Sequence, residues 1–145
     1  MTTIAYRDDV LAGDTQVTCG TTIDGRDQKV FRKGTLLFGS IGCSGLGERF
    51  VSWVRRGMIG ECPTLRPGEK DDDAWGLLFP GADLVLWRFQ DRWARHRAPF
   101  FAYGSGAEFA MGAMAFGATA EEAVKVATRF DTGTGGEITV LRRGG

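Results

Sequence analysis

Thr2 joins a nucleophilic hydroxyl to an α-amine of its own once Met1 is removed. A hydroxyl and an amine on one residue perform acyl transfer without a histidine, because the amine is the base. An α-amine ionises at about 7.7–8.0, so it takes up and returns a proton at neutral pH. Other residues able to support such chemistry follow at set places. Asp14 falls inside a predicted strand, where a carboxylate needs a partner. Lys29, on the next predicted strand, is a candidate for that partner, and Lys33 is its rival. Gly39 leads the glycine-spaced strand end Gly39-Ser40-Ile41-Gly42, whose backbone N–H can point at a substrate oxygen. Gly104-Ser105-Gly106 joins a strand to a helix, and Asp131-Thr132-Gly133-Thr134-Gly135-Gly136 joins a helix to a strand. Taken singly, these are a cross-strand ion pair, a turn and a helix C-terminus with its glycine turn. Their joint order argues for more.

Composition narrows the field. The 145 residues suit one domain with a sizeable core. Eighteen Lys and Arg balance eighteen Asp and Glu, which leaves no electrostatic footprint for nucleic acid or an acidic membrane. The sequence predicts no secretory leader and no bilayer span, hence a cytoplasmic protein. Cys19, Cys43 and Cys62 are odd in number and lack metal-ligand spacing; they read as reduced thiols. No cofactor is expected. His96 is the only histidine, so zinc sites built on several histidines are excluded. A thiol hydrolase pairing Cys43 with His96 has nothing in the sequence to fix its geometry.

The elements that must position these residues follow from periodicity and turn chemistry. Residues 2–7 and 10–18 read as strands around the turn Arg7-Asp8-Asp9. A loop covers 20–25, a short strand 28–32, and a buried strand 35–42. Residues 44–57 read as a helix capped by Ser44, with Leu46, Phe50, Trp53 and Val54 on one face. Residues 58–73, rich in Pro, Gly and Asp, read as a loop. Strands are predicted at 74–79, 83–89 and 98–103, the first two joined at Pro80-Gly81. Helices are predicted at 107–116 and 119–130, the second opening on Thr119-Ala120-Glu121-Glu122. A strand at 138–142 closes the chain. This order suits an α+β fold with helices on both faces of antiparallel sheets.

The segments Thr2-Thr3-Ile4, Ala12-Gly13-Asp14, Lys29-Val30, Phe38-Gly39-Ser40-Ile41-Gly42, Tyr103-Gly104-Ser105-Gly106, and Asp131 with Thr134-Gly135-Gly136 occur in one order along nearly the whole chain. Singly weak, as a set they resemble the proteasome β-type subunits, closest to the bacterial HslV branch of the N-terminal-nucleophile hydrolases. The resemblance implies a single domain over 1–145 with the αββα four-layer sandwich, two antiparallel sheets between helical layers, shortened here. It implies a threonine endopeptidase within a self-compartmentalising ring. Thr2 would be the nucleophile and its amine the base, and Lys29 would favour the alkoxide. Asp14 would hold Lys29 charged, and the Gly39 N–H would stabilise the oxyanion. Ser105 and Asp131 would orient the amine and a water. Lys29 is preferred to Lys33 because it immediately precedes the apolar Val30-Phe31, as the family's lysine precedes an apolar residue. Val17, Phe31, Leu37 and Ile41 are candidates for a side-chain pocket with apolar preference.

The chain departs from that family after residue 57. The second of two long helices has no room in 58–73, so docking to an AAA+ unfoldase is put in doubt. The helices at 107–130 would then pack copies into a homo-oligomeric ring or double ring acting on polypeptides. Two other readings stand beside this one: a catalytically silent assembly subunit, and a small amidase acting on a metabolite.

Overall fold

The computed structural model describes residues 2–66, 68, 73–81 and 84–144. Strands β1 (Thr3–Arg7) and β2 (Val10–Gly13) form a hairpin whose turn places Asp8 and Asp9 at positive φ. β3 (Gln16–Cys19) and β4 (Thr22–Arg26) form a second hairpin. β5 (Val30–Lys33) and β6 (Leu36–Gly42) lead into helix α1 (Ser44–Arg55). β7 (Ala74–Phe79), β8 (Val85–Phe89), β9 (Trp93–Arg97) and β10 (Phe100–Gly104) follow. Helices α2 (Ala107–Ala115) and α3 (Ala120–Phe130) precede the last strand, β11 (Thr139–Arg142). The strands make three sheets, ordered β10-β1-β2-β11, β3-β4 and β5-β6-β7-β8-β9, with antiparallel pairing throughout.

Strand alternation decides what each face covers. Ile4 and Tyr6 point into the core between the two larger sheets, where they meet Val30, Leu37, Leu77, Phe79 and Leu86. Tyr6 stacks on Phe79 at 4.6 Å between ring centroids. Ala5, one residue out of phase, joins Ala12 against Ala110, Met114, Ala120, Ala123 and Val124 of α2 and α3. The α1 face of Leu46, Phe50, Trp53 and Val54 packs on Phe31, Phe38, Leu78 and Phe89, as its spacing predicts. Thr119 accepts from the Glu122 N–H and Glu122 accepts from the Thr119 N–H, so the predicted capping box starts α3.

The four-layer αββα sandwich is not what forms. The described residues make a small β-rich domain of three antiparallel sheets and three short helices of 12, 9 and 11 residues. Among the described residues α1 is the helix that packs on the five-stranded sheet. Gly57 and Met58 both take positive φ, so the chain turns away as soon as α1 ends. No helix or strand follows among residues 58–66, 68 and 73; the remainder of the 58–73 segment lies outside the described residues.

Smaller expectations also change. The strand at 10–18 breaks at Asp14-Thr15, because the Asp14 carboxylate takes backbone donors of its own. The loop at 20–25 is largely β4. β9 was not anticipated, and Ser44 is no cap: Cys43 holds that position, with no side-chain hydrogen bond. Among the described residues no helix is long and apolar enough to cross a membrane.

Candidate active site

Thr2 sits at the entry to β1, the second strand of the four-stranded sheet. It lines a cleft of about 580 Å³ together with Val17, Lys29, Phe31 and the start of α1. Residue 2 can lie there because position 104 is glycine. Gly104 has φ +104°, and a Cβ on it would stand 1.8 Å from the Thr2 carbonyl oxygen.

Asp14 and Lys29 meet as expected. Lys29 Nζ lies 2.9 Å from Asp14 Oδ1 and donates to the Gln16 carbonyl at 2.6 Å. Asp14 is fully buried. Its carboxylate also accepts the N–H groups of Thr3, at 3.0 Å, and Gly135, at 3.1 Å. One carboxylate therefore ties together the start of β1, the Lys29 ammonium and the loop before β11. Burial pushes Lys29 below its ordinary pKa; the charge and hydrogen bond of Asp14, and the charge of Asp27, push back without restoring it.

A second network lies on the other face of β1. Ser105 Oγ donates to Asp131 Oδ2 at 2.6 Å, and Thr134 Oγ1 donates to the same oxygen at 2.5 Å. Thr134 Oγ1 is 2.6 Å from Thr3 Oγ1. Burial raises the Asp131 carboxyl, but the hydroxyls of Ser105 and Thr134 and the Gly133 N–H outweigh it, leaving the pKa below the usual range. Ser105, Asp131, Thr134 and Thr3 thus form a chain that ends one residue from Thr2.

Other expectations are corrected. Gly39 does not line the cleft. The Ser40 N–H bonds the Lys29 carbonyl at 3.3 Å, so alternation turns the Gly39 N–H toward β7, where Gly39 faces Leu77. Gly39 is needed for space, since a Cβ would approach the Lys29 carbonyl oxygen to 2.7 Å. The strand end and the start of α1 border the cleft through Gly42, Cys43 and Ser44, and the first turn of α1 has no side-chain cap. Val17 and Phe31 line the cleft, but Leu37 and Ile41 do not; both pack between the sheets. Lys33 is elsewhere, donating to the Val54 and Arg55 carbonyls at the C-terminal end of α1. Cys43 borders the cleft, whereas His96 lies on β9 in a separate groove with Tyr103 and Met111.

Sequence reasoning gave no role to Thr3, the Thr134 hydroxyl or Gln16. Gln16 donates to the Thr132 carbonyl at 3.1 Å and so braces the Asp131 loop. The signal for Thr3 and Thr134 was present as hydroxyls beside already chosen residues. Among the described residues no group of His, Cys, Asp and Glu side chains has the arrangement of a metal site.

No family model matches the sequence, and no curated protein matches it. Solved structures do. Thiobacillus denitrificans BPH in complex with epoxomicin aligns with a TM-score of 0.60 at 16% identity, covering 97% of this chain and 96% of that one. Thiobacillus denitrificans BPH alone aligns with a TM-score of 0.60 at 17% identity, covering 97% and 95%. At such identity the likeness is one of fold, and it runs the length of both chains.

Proposed function

We propose that this chain is a threonine-type peptidase subunit, of the proteasome β-type kind that its sequence resembles, with Thr2 freed of Met1 as the nucleophile. The observation that carries the reading is the Lys29 ammonium, held by buried Asp14 on the wall of the cleft that Thr2 also lines. A cation beside the hydroxyl favours its alkoxide character. The α-amine of Thr2 takes the hydroxyl proton, directly or through a water, as the Thr2 Oγ1–carbonyl carbon bond forms. N–H groups of the first turn of α1 serve the oxyanion, a contribution of about 3 kcal/mol for one good donor. Collapse breaks the carbon–nitrogen bond, and the leaving amine takes the proton. Water then hydrolyses the Thr2 ester and restores the amine. Ser105 and Asp131 orient the amine through the network that reaches Thr3.

The Thiobacillus denitrificans protein was solved with epoxomicin, and the same compound is a probe for this cleft. Turnover of a fluorogenic peptide amide, inhibition by epoxomicin and loss of turnover in Thr2→Ala are the expected results. Intact mass of protein from its own host is expected to lack Met1. Turnover by Thr2→Ala, or by protein that retains Met1, refutes the reading.

Assembly into a homo-oligomeric ring is part of the proposal. Ala110 and Met114 of α2 pack in the chain's own core. Phe109, Met111, Phe116 and Phe130 remain exposed on α2, α3 and the turn between them, Phe116 at 98%. Apolar exposure of this kind supports burial against another copy.

A further inference from the structure

We propose that Arg88 receives a carboxylate carried by the substrate on the leaving-amine side of the cleaved bond. The proposal rests on the threonine-peptidase reading and names a recognition element of the same site. Arg88 lies on β8 two residues from Leu86, so both side chains face the space between the two larger sheets. Its guanidinium carbon is 4.4 Å from the centre of the Trp75 ring on β7 and 5.9 Å from that of the Tyr103 ring on β10. The cluster therefore joins the five-stranded sheet to the four-stranded one. Strand register places it at the end of the sheets where Thr2 lies. Trp75 pairs with Ile41, the neighbour of Gly42 in the cleft lining, and Tyr103 pairs with Ile4, two residues from Thr2.

The Arg88 Nε is buried with no hydrogen-bond partner, and among the described residues its side chain makes no hydrogen bond and no ion pair. Arg143, by contrast, donates to Asp9, to Tyr6 and to the Thr35 and Phe79 carbonyls. A buried donor without an acceptor destabilises the fold that holds it. The aromatic contacts engage the face of the guanidinium and leave its in-plane N–H groups for an acceptor. A carboxylate matches that fork with two oxygens. The Tyr103 hydroxyl is a second donor at the same place. Burial pushes its pKa above the ordinary value, and the Arg88 charge offsets only part of this, so the phenol keeps its proton at neutral pH. The side of the bond follows from the amine. In the proposed mechanism the leaving nitrogen takes its proton from the Thr2 α-amine, which Ser105 and Asp131 orient. Ser105 follows β10 directly, so the leaving segment departs over the end of β10, where Tyr103 and Arg88 stand. The acyl side is left to the walls that β3, β5 and α1 supply.

The test uses protein free of Met1 and three peptides that are alike up to the cleaved bond. After it they carry Glu amide, Gln amide or Gln as the free acid, and the released amine is measured by mass spectrometry. An acid-bearing peptide is expected to exceed the Gln amide in kcat/KM by about tenfold or more. Preference for the Glu amide assigns the carboxylate to a side chain, and preference for the Gln free acid assigns it to a C-terminus. Arg88→Met and Arg88→Gln are each expected to bring the ratio near one. Arg88→Lys, which keeps the charge without the fork, is expected to recover part of it. A wild type that prefers neither acid, or a preference unmoved in a folded Arg88→Met or Arg88→Gln protein, overturns this proposal and leaves the peptidase reading standing. No turnover of any of the three, in protein shown to be folded by circular dichroism, overturns the peptidase reading and this proposal with it.

Discussion

Removing the carboxylate of Asp14 should cost more than removing the ammonium of Lys29, although the two form one ion pair. Asp14 is fully buried and accepts from Lys29 Nζ and from the N–H groups of Thr3 and Gly135. In Asp14→Ala a buried ammonium loses its counter-ion, which costs about 3–5 kcal/mol. Two backbone donors also lose their acceptor, at about 1–3 kcal/mol each where water cannot enter. The sum reaches or exceeds about 5 kcal/mol, comparable with the whole stability of a small domain. In Lys29→Met the carboxylate keeps both amide donors, and the cost falls near the lower bound, about 3 kcal/mol. The double variant Asp14→Asn, Lys29→Met removes both charges and should be more stable than Asp14→Ala. Urea unfolding followed by circular dichroism measures all three midpoints. Asp14→Ala unfolding at the wild-type midpoint, or Lys29→Met unfolding at a lower midpoint than Asp14→Ala, would refute the ranking. The pH dependence gives a second handle. Burial lowers the Lys29 pKa below its unfolded value despite Asp14. The unfolded chain thus holds a proton that the folded chain releases, and this group adds stability as pH rises between the two values. In Asp14→Asn the folded value drops further, so the rise should begin at lower pH.

Ser105→Ala removes one of the hydrogen bonds that hold Asp131 below the usual carboxylate range. A depressed carboxylate adds stability above its unfolded pKa and loses it as pH falls through the folded one. Acid unfolding of Ser105→Ala, followed by circular dichroism, should therefore begin at higher pH, with a cost of about 1 kcal/mol because Ser105 is exposed; an unmoved acid limb counts against the network. Phe116→Glu should reduce the oligomer size seen by light scattering without lowering the melting temperature, since Phe116 is 98% exposed in the single chain. A wild-type protein that is monomeric at micromolar concentration removes the ring from the proposed function.

Much of the site was legible because its residues break local rules. A carboxylate in an apolar strand asks for a cation, and Asp14 asked for Lys29. Gly-Ser-Gly at a strand end and an acid at a helix end mark two loops, which the fold brings together as Ser105 and Asp131. What failed was whatever depends on register. Gly39 lies on the right strand, but which way its N–H points is set by which neighbour Ser40 bonds, and no single strand carries that information. Leu37 and Ile41 failed for the same reason, since both face the other sheet. β4, Thr22-Ile23-Asp24-Gly25-Arg26, is exposed along its whole length. β9, Trp93-Ala94-Arg95-His96-Arg97, is an edge strand with Trp93, Arg95 and Arg97 on one face and only Ala94 and His96 on the other. Neither alternates, so neither announces itself as a strand. The four-layer sandwich failed for a different reason, because a resemblance in site segments says nothing about how the elements between them are layered.

Strand alternation also explains why the two networks belong to one site. Thr3 points toward the Thr134 hydroxyl, while Ile4 points between the sheets. A strand that alternates must send Thr2 to the same side as Ile4, the side of the cleft and Lys29. The backbone between Thr2 and Thr3 is therefore gripped from both faces. On one face Thr3 Oγ1 meets Thr134, which is tied to Asp131; in the strand plane the Thr3 N–H is held by Asp14. Asp14 in turn holds Lys29 on the face that Thr2 occupies. Residue 2 is thus positioned through the backbone around it, which in the proposed function leaves its hydroxyl for substrate. Gly104 completes the argument from the neighbouring strand. Any side chain there meets the Thr2 carbonyl and pushes residue 2 out of register with Lys29, so the space left by a missing Cβ is as much a part of the site as the charges are.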